Sequence, residues 1–192
     1  MRAIELLPVV DGRFRDGPDL SLLDEAAAAL ARRLSVSCHV REAPLDASSA
    51  FDPERNQSHS TRILQMIEES AAARAGPDVR VVGVTALDLF VPVLTFVFGE
   101  AQLAGCVAVV SLHRLSEEHY GLPPDRALLV ARTVKEIVHE LGHTLGLRHC
   151  EDWRCVMSSA HSVEAIDARG ETFCDACGRV FAHPTGGLMP RA

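Results

Sequence analysis

The residues from His139 to His149 read H-E-x-x-H-x-x-G-x-x-H, and this pattern constrains both the local fold and the chemistry of the chain. On a helix, His139 and His143 lie one turn apart on the same face, so both imidazoles can reach one metal ion. Glu140 projects beside them toward a water molecule at that ion. We therefore expect a helix that carries two zinc ligands and a general base.

Gly146 lies between the second and the third histidine of the pattern. Because it has no Cβ, it can take a left-handed backbone conformation that ends the helix and lets the chain bring His149 to the same ion. Three neutral imidazoles leave zinc its full charge and one open position, which lowers the pKa of a bound water to about 7. The pattern thus predicts a zinc site with a nucleophile at neutral pH.

A chance occurrence of the pattern on a surface helix is the alternative. The preceding residues, Ala127 to Val138, carry apolar side chains at helical spacing. This spacing predicts a helix that takes the motif into a hydrophobic core, which is the context that the motif requires. The context favours a zinc site over chance.

Four of the six cysteines follow the motif in two closely spaced pairs, Cys150 with Cys155 and Cys174 with Cys177. Four thiolates are the ligand set of a closed structural zinc site, which folds a segment that is poor in apolar residues. Here that segment is Glu151 to His183. Two disulfides, unpaired thiols or a redox C-x-x-C pair are the alternatives, and a reducing compartment would favour metal binding.

The third histidine of the motif and the first cysteine of the set, His149 and Cys150, are neighbours in the chain. Folding of the cysteine site should therefore fix the position of His149 and support the catalytic zinc from outside its ligand shell. The other two cysteines, Cys38 and Cys106, lie in apolar segments and are interpreted as small buried hydrophobic residues.

Length and charge limit the class of protein. A chain of 192 residues forms one domain, or one domain with a small metal module, and can bury a core without disulfides. A net charge of -7 without clustered Lys and Arg argues against a nucleic-acid partner.

Two segments bear on the location of the protein. Met1 to Val10 lacks the pattern of a signal peptide. Leu89 to Leu112 is long enough to span a membrane, but Pro92 and the Gly99-Glu100 pair indicate two buried strands joined by a turn. We expect a cytoplasmic protein without a membrane partner.

The first half of the chain alternates strand and helix patterns, which predicts an α/β sheet ahead of the zinc helix. The predicted strands are Arg2 to Val10, Val36 to Glu42, Val79 to Thr85, Thr95 to Phe98 and Cys106 to Leu112. The predicted helices are Leu20 to Leu34, capped by Asp19 or Ser21, and Ser60 to Ala75, stopped by Gly76-Pro77. Ala43 to Ser58 is predicted to be a loop.

The residues from His139 onward resemble the archaemetzincin family of zinc metallopeptidases. The family's pattern, H-E-x-x-H-x-x-G-x-x-H-C with x4-C-x-M and a downstream C-x-x-C, is matched by His139 to Cys150, by Cys155 and Met157, and by Cys174 and Cys177. The resemblance implies an α/β (α+β), metzincin-like zincin fold with a twisted mixed sheet of about five strands. It also implies an active-site helix, a small C-terminal zinc subdomain with four cysteine ligands, and a methionine turn in which Met157 lies beneath the catalytic zinc.

The sequence departs from what the resemblance implies at the group that would stabilise the oxyanion. No tyrosine follows Met157, so the tyrosine that some metzincins place near the oxyanion would have to be Tyr120, brought close by the fold. Otherwise oxyanion stabilisation is expected mainly from the zinc. His113, His119 and His161 are candidates for further polar groups in the cleft, or else surface histidines.

Together these features predict a zinc-dependent metallopeptidase with two zinc ions per chain and Glu140 as general base. Residues 1–149 would form the catalytic part, and residues 150–192 a subdomain with the methionine turn and the cysteine site. The partner would be a peptide or protein substrate that adds as a strand to the sheet edge near Thr95 to Gly99, and the chain is expected to be a monomer.

Two other functions are the alternatives: a non-proteolytic peptide-binding or protein-binding module, and a zinc-ribbon interaction module. An aminopeptidase mode would need an acidic group in the cleft, such as Glu100 or Glu117.

Overall fold

A largely parallel sheet with helices on both faces forms the centre of the molecule. The computed structural model describes residues 1–13, 17–72 and 78–182. Its strands are β1 (Ala3–Val10), β2 (Ser37–Val40), β3 (Leu45–Asp46), β4 (Phe51–Asp52), β5 (Gln57–His59), β6 (Val79–Thr85), β7 (Leu89–Phe90), β8 (Gly99–Ala101) and β9 (Val107–Ser111). Its helices are α1 (Leu20–Leu34), α2 (Ser60–Ala72), α3 (Arg126–Thr144), α4 (Val163–Ala168) and α5 (Asp175–Ala182).

The strand order of the main sheet places an antiparallel strand at one edge. Among the described residues the order is β2-β1-β6-β9-β8, and β3 pairs with the end of β1. Strands β2, β1, β6 and β9 are parallel, whereas β8 runs antiparallel to β9. All of β9 is buried, as expected for a parallel strand covered on both faces. Strand β8 is therefore a sheet edge that can still pair with another chain. A smaller sheet has the order β4-β5-β7.

Alternate residues of the central strands point into two separate hydrophobic cores. Val82 and Val84 of β6 pack with buried residues of α1 and α3 on one face. Val81 of the same strand packs on the other face with α2, through Ile63 and Ile67. Helix α3 thus packs on the sheet beside α1, which fixes the helix that carries the histidine motif.

Helix α3 begins and ends where its sequence dictates. The carboxylate of Asp125 caps the first turn by accepting a hydrogen bond from the backbone N–H of Leu128 at 2.9 Å. Beyond Thr144, Gly146 has a φ of 88°, in the left-handed region that was predicted for it. The chain leaves the helix at this point and turns back toward its last turn.

The predicted strand at Thr95 to Phe98 is wrong, because the edge strand is β8, Gly99–Ala101. The carbonyl groups of Leu94 and Thr95 accept hydrogen bonds from the side chains of Arg55 and Gln57 rather than from a strand. A single bridge joins Val97 to Leu89. The backbone ahead of the edge strand is thus bound by side chains instead of by a neighbouring strand.

The turn predicted at Gly99-Glu100 lies instead at residues 102–105, where the Gly105 N–H donates to the Gln102 carbonyl at 3.0 Å. The predicted loop from Ala43 to Ser58 contains the short strands β3 and β4 and enters β5. Helix α1 and its Asp19 cap are as predicted. The predicted stop at Gly76-Pro77 lies outside the described residues. No helix in the described part of the chain is long and apolar enough to span a membrane.

The residues after the motif pack onto the same core as α1 and α3. Val156, Met157 and Ile166 are fully buried in that core. The chain then forms α4 and α5, two helices in a segment that the sequence did not predict to be helical. The segment from Cys150 onward is therefore in direct contact with the helix that carries the motif.

Candidate active site

Helix α3 and the chain after it bring the three histidines of the motif together. One nitrogen from each of His139, His143 and His149 lies within 4.8 Å of the others. The Nε2 atoms of His139 and His143 are 3.1 Å apart. Zinc–nitrogen bonds of about 2.0–2.1 Å in a tetrahedral site separate two ligand nitrogens by roughly 3.3 Å. The donor set and its spacing therefore fit a zinc ion.

Backbone carbonyl groups fix which nitrogen of two of these rings is free to bind a metal. The Nδ1 atoms of His139 and His143 lie 2.8 Å from the carbonyl oxygens of Val156 and Leu147. A carbonyl oxygen can only accept, so each Nδ1 carries the hydrogen and each Nε2 keeps its lone pair. This is the orientation that a metal-binding histidine requires.

Burial keeps the three imidazoles neutral at neutral pH. It is the main reason that the pKa of His139 lies well below its ordinary value, and the nearby Arg169 guanidinium lowers it further. Burial also lowers the pKa values of His143 and His149. Because only a neutral imidazole binds a metal, this lowering favours ligation.

Glu140 lies against the edge strand of the sheet. Its side chain is buried, and a Cβ built on Gly99 would lie 2.6 Å from its Oε1. Its Oε2 has no hydrogen-bond partner within the described residues. Burial raises the pKa of Glu140 well above its ordinary value, and the neighbouring Glu136 carboxylate adds to this. A buried, unpartnered carboxyl group with a raised pKa is suited to accept and return a proton.

The histidines and Glu140 line a cleft of about 780 Å³, within the usual range for ligand sites. One wall is the segment from Leu94 to Ala101, which contains the edge strand. Other lining residues come from α3, from Arg148 and His149, and from the segment from Ser159 to His161. The edge strand thus borders the site, as predicted, although it is shifted along the chain.

The other predicted polar groups are only partly brought to this cleft. His161 and Glu100 line it, but the Glu100 carboxylate accepts hydrogen bonds from the hydroxyl groups of Ser60 and Thr61 on α2. Its charge is thus directed away from α3.

The remaining candidates lie outside the residues that line the cleft. His113 and Tyr120 pack on either side of His119, and the Tyr120 hydroxyl donates to the Arg114 carbonyl at 3.0 Å. Glu117, the other predicted acidic group, is in an ion pair with a buried arginine of α3. Tyr120 therefore does not replace the missing tyrosine, and Glu117 does not face a substrate.

The four cysteines of the second set also lie together. One sulfur from each of Cys150, Cys155, Cys174 and Cys177 lies within 4.8 Å of the others, and none of them forms a disulfide. The Sγ atoms of Cys150 and Cys174 are 3.9 Å apart. Zinc–sulfur bonds of about 2.3 Å in a tetrahedral site separate two sulfurs by roughly 3.8 Å. The cluster therefore fits a second zinc ion.

Backbone groups prepare this cluster for a metal. The backbone N–H groups of Met157 and Cys174 donate to the Cys155 sulfur. A hydrogen bond from the Cys177 backbone lowers the pKa of Cys174 to about 7, which favours its thiolate. Burial raises the pKa values of Cys150 and Cys177, so these thiols need a metal to ionise at neutral pH.

One short segment connects the two candidate metal sites. The Val156 carbonyl accepts from His139, and the Met157 carbonyl accepts from the Cys150 backbone N–H at 2.9 Å. Met157 is fully buried against the motif helix, since a Cβ on Gly142 would lie 2.3 Å from its Sδ. Its role as the methionine of a methionine turn stays a prediction.

A buried ion pair beside His139 was not found from the sequence. Arg169 donates to the carboxylate of Glu136 and to the Ser158 carbonyl, and its Nη1 lies 3.3 Å from the Nδ1 of His139. Lys135 donates to three backbone carbonyls, those of Ile166, Asp167 and Arg169. Glu136 lies one turn before Glu140 on a helix predicted to be buried, which was a usable signal. Nothing in the local sequence marks Arg169.

Solved structures share this fold, and their names are those of a zinc-dependent peptidase and of archaemetzincins. A zinc-dependent peptidase from Methanocorpusculum labreanum has a TM-score of 0.78 and 29% identity, covering 92% of this chain and 98% of its own. The archaemetzincin from Methanopyrus kandleri has a TM-score of 0.76 and 35% identity, covering 95% of this chain and 94% of its own. The fold, the two clusters that could hold a metal and these similarities define the chain as a zinc metallopeptidase.

The sequence comparisons give the family. The model of Peptidase family M54 matches residues 47–183, and the chain belongs to that family. The archaemetzincin of Methanocaldococcus jannaschii is 44% identical over 130 residues, which cover 67% of this chain and 68% of its own length. The resemblance to archaemetzincins and the mixed α/β fold that it implied are confirmed.

Proposed function

We propose that the chain hydrolyses peptide bonds with a zinc ion held by His139, His143 and His149, and with Glu140 as general base. The observation that carries this proposal is the arrangement of the three histidines around a common point beside Glu140, whose buried Oε2 has no partner among the described residues. A zinc ion at that point would polarise the peptide carbonyl and lower the pKa of the attacking water.

The substrate is proposed to add as a strand to β8. In this antiparallel edge the Phe98 carbonyl accepts from Ser111, and the Gln102 N–H donates to Val107, so both residues face β9. Because successive residues of a strand alternate, the N–H and C=O groups of Gly99 and Ala101 face the cleft. An extended peptide can pair with these groups, which holds its backbone along the cleft beside Glu140.

Glu140 carries the proton of the reaction. Its carboxylate accepts a proton as the water oxygen bonds to the carbonyl carbon, and it then gives this proton to the nitrogen of the leaving amine as the C–N bond breaks. A raised pKa supports both steps, since it makes the carboxylate a stronger base and lets the acid persist until the amine departs.

The cysteine cluster is proposed to bind a second zinc ion with a structural role. With all four positions filled by sulfur, such a site has no room for water. It would hold the segment from Cys150 to Ala182 against α3 and fix His149, the neighbour of Cys150. The chain would then contain two zinc ions, one in each cluster.

Replacement of Glu140 tests this function. Glu140→Gln should keep the zinc content and the fold but reduce peptide cleavage by about 100-fold to 10,000-fold. Cleavage is measured by mass spectrometry of a mixed peptide digest, and metal content by elemental analysis. Glu69→Gln, at an exposed position of α2 outside the cleft, is the matched control and should have full activity. Full activity of Glu140→Gln would contradict the assignment of the base.

A further inference from the structure

We infer that Arg148 binds a carboxylate of the substrate close to the cleaved bond, so that the enzyme prefers acidic peptides. This inference rests on the proposed function, because it concerns the same cleft. The observation behind it is that the charged residues of the cleft wall differ in whether they already have a partner or a role. Those residues are Glu100, Glu136, Glu140, Arg148 and Arg169.

Four of these five charges already have a partner or a role. Arg169 and Glu136 form a buried ion pair with each other. The Glu100 carboxylate is bound by two hydroxyl groups of α2, and Glu140 is the proposed base. Arg148 is exposed, and it has no ion pair or side-chain hydrogen bond with any described residue. It is thus the one cation of the described cleft wall that is left to a ligand.

The backbone on both sides of Arg148 is held firmly in place. The Leu147 N–H donates to the Gly142 carbonyl at 3.0 Å, and the Leu147 carbonyl accepts from His143. On the other side, the Cys150 N–H donates to the Met157 carbonyl at 2.9 Å. A side chain on such a fixed backbone loses less conformational freedom on binding, so its contact with a ligand is stronger.

The position of Arg148 in the chain limits which part of a substrate it can reach. It precedes His149, and consecutive Cα atoms are only about 3.8 Å apart. An extended peptide advances about 3.3 Å per residue, so a carboxylate at Arg148 belongs to a residue within about two positions of the cleaved bond. The carboxylate can belong to an Asp or Glu side chain or to the C-terminus of a short peptide.

The same end of the cleft also offers apolar support. The backbone N–H of Ala104 donates to the His143 carbonyl at 3.0 Å, so the turn after β8 lies against the end of α3. Leu103, in this turn, lines the cleft and is 49% exposed. A cleft lined by both a guanidinium group and an exposed leucine suits a side chain with an aliphatic stem and a terminal carboxylate, such as Glu.

The inference is tested with zinc-chelating peptide hydroxamates on the zinc-loaded protein. The first series carries the hydroxamate at the N-terminus, and the second carries it at the C-terminus. In both series the neighbouring residue is Glu, Gln or Lys. Each peptide of the first series is made with a free and with an amidated C-terminus. Dissociation constants are measured by calorimetry for the wild type, Arg148→Ala, Arg148→Glu and a control, Arg154→Ala. Arg154 is exposed, pairs with Asp152 and does not line the cleft.

In the wild type, one of two comparisons should show a difference of about tenfold in affinity. Either the Glu ligand of a series binds more tightly than the Gln ligand, or the ligand with a free C-terminus binds more tightly than the amidated one. Arg148→Ala should abolish this difference in affinity, and Arg148→Glu should instead bind the Lys ligand most tightly. Arg154→Ala should keep the wild-type difference. Added salt should reduce the wild-type ratio, which tests the charge effect without any variant. Since each ratio is internal to one protein, a general loss of affinity in a variant does not change the conclusion.

Equal affinities of the Glu, Gln and amidated ligands for the wild type would overturn the inference, as would a preference that survives in Arg148→Ala. If peptide cleavage still depended on Glu140, the proposed function would hold and only the role of Arg148 would be wrong. No binding of any hydroxamate to the zinc-loaded protein would instead overturn the proposed function and, with it, this inference.

Discussion

At the scale of single residues, Gly99 leaves room for the Glu140 carboxylate. A Cβ at this position would lie 2.6 Å from Oε1 of Glu140 and 2.9 Å from the Val109 carbonyl oxygen, which belongs to the neighbouring strand. The backbone of β9 cannot give way, so Gly99→Ala should displace the carboxylate. We expect kcat to fall by about tenfold to 100-fold while zinc content is unchanged, because displacements of this size misplace a catalytic group. The measurement is steady-state cleavage of a fluorogenic peptide.

Gly178→Ala is the matched control, because a Cβ there would have an ordinary contact of 3.9 Å with Phe173. It should leave kcat as in the wild type. Equal kcat values for Gly99→Ala and Gly178→Ala would show that Glu140 does not depend on the edge strand for its position.

The residues that the sequence predicts best are those whose spacing is local. His139, Glu140 and His143 follow from one turn of a helix, and His149 follows from Gly146. Arg148 lies inside the same motif, but the pattern does not specify which residue stands at its position. Its lack of a partner among the described residues depends on the placement of distant segments. Arg169 reaches the site from a segment whose placement depends on the folding of α4. Such residues need the three-dimensional structure.

At the scale of elements, Lys135 and Glu136 hold the chain after α4 against α3. Arg169 and Glu136 are 3% exposed each, so removal of one partner leaves a buried charge uncompensated. Arg169→Met should lower the free energy of unfolding by about 3–5 kcal/mol. The double variant Glu136→Leu with Arg169→Met should lose much less, because it leaves no unpaired charge. Urea denaturation of both variants, with the zinc content matched, gives the comparison. A double variant no more stable than Arg169→Met would argue against a direct pair.

The cleft wall from Leu94 to Ala101 depends on a second ion pair, between Asp88 and Arg114. The two form a bidentate contact of 2.7 and 2.8 Å, and Gln57 joins Asp88 to the Thr95 carbonyl. Burial raises the pKa of Asp88, but the hydrogen bonds from Arg114 and Gln57 outweigh this, so its pKa lies below its ordinary value of 3.8. The ionised carboxylate therefore stabilises the folded chain.

A depressed pKa in the folded state fixes the sign of the pH dependence. The contribution of Asp88 to stability is present above its unfolded pKa of about 3.9 and is lost as the pH falls through the lower folded pKa. Asp88→Asn should therefore cost about 1–3 kcal/mol at pH 7, and the difference from the wild type should shrink below about pH 4. Urea midpoints across this range measure it. Asp78→Asn, in an exposed pair with Arg2, should change little. A difference that stays constant into acid would contradict the assigned pair.

The elements that the sequence predicts well are those with strong caps and long apolar periods. Helix α1 has both, through Asp19 and its leucines and alanines at helical spacing, and it is found as predicted. The edge strand was misplaced because Arg55 and Gln57, some forty residues earlier in the chain, take the carbonyl groups of Leu94 and Thr95. A window of neighbouring residues contains no sign of this competition.

At the scale of the whole molecule, the two clusters should respond differently to loss of metal. The segment after Cys150 has few elements of its own, so Cys177→Ser should lower the melting temperature and also reduce peptidase activity, because His149 loses its fixed neighbour. His143→Ala should abolish activity but leave the melting temperature close to that of the wild type. Circular dichroism melts and peptide cleavage separate the two effects. Full activity of Cys177→Ser would show that the cysteine cluster does not support the histidine site.

The most direct test of a catalytic zinc ion at the three histidines is the zinc content per chain of protein purified without added metal. It is measured by elemental analysis for the wild type, Glu140→Gln and His143→Ala. Two zinc ions are expected in the wild type and in Glu140→Gln, and one in His143→Ala. A wild type with one zinc ion, unchanged in His143→Ala and not raised by added zinc, would contradict a catalytic metal at the histidines.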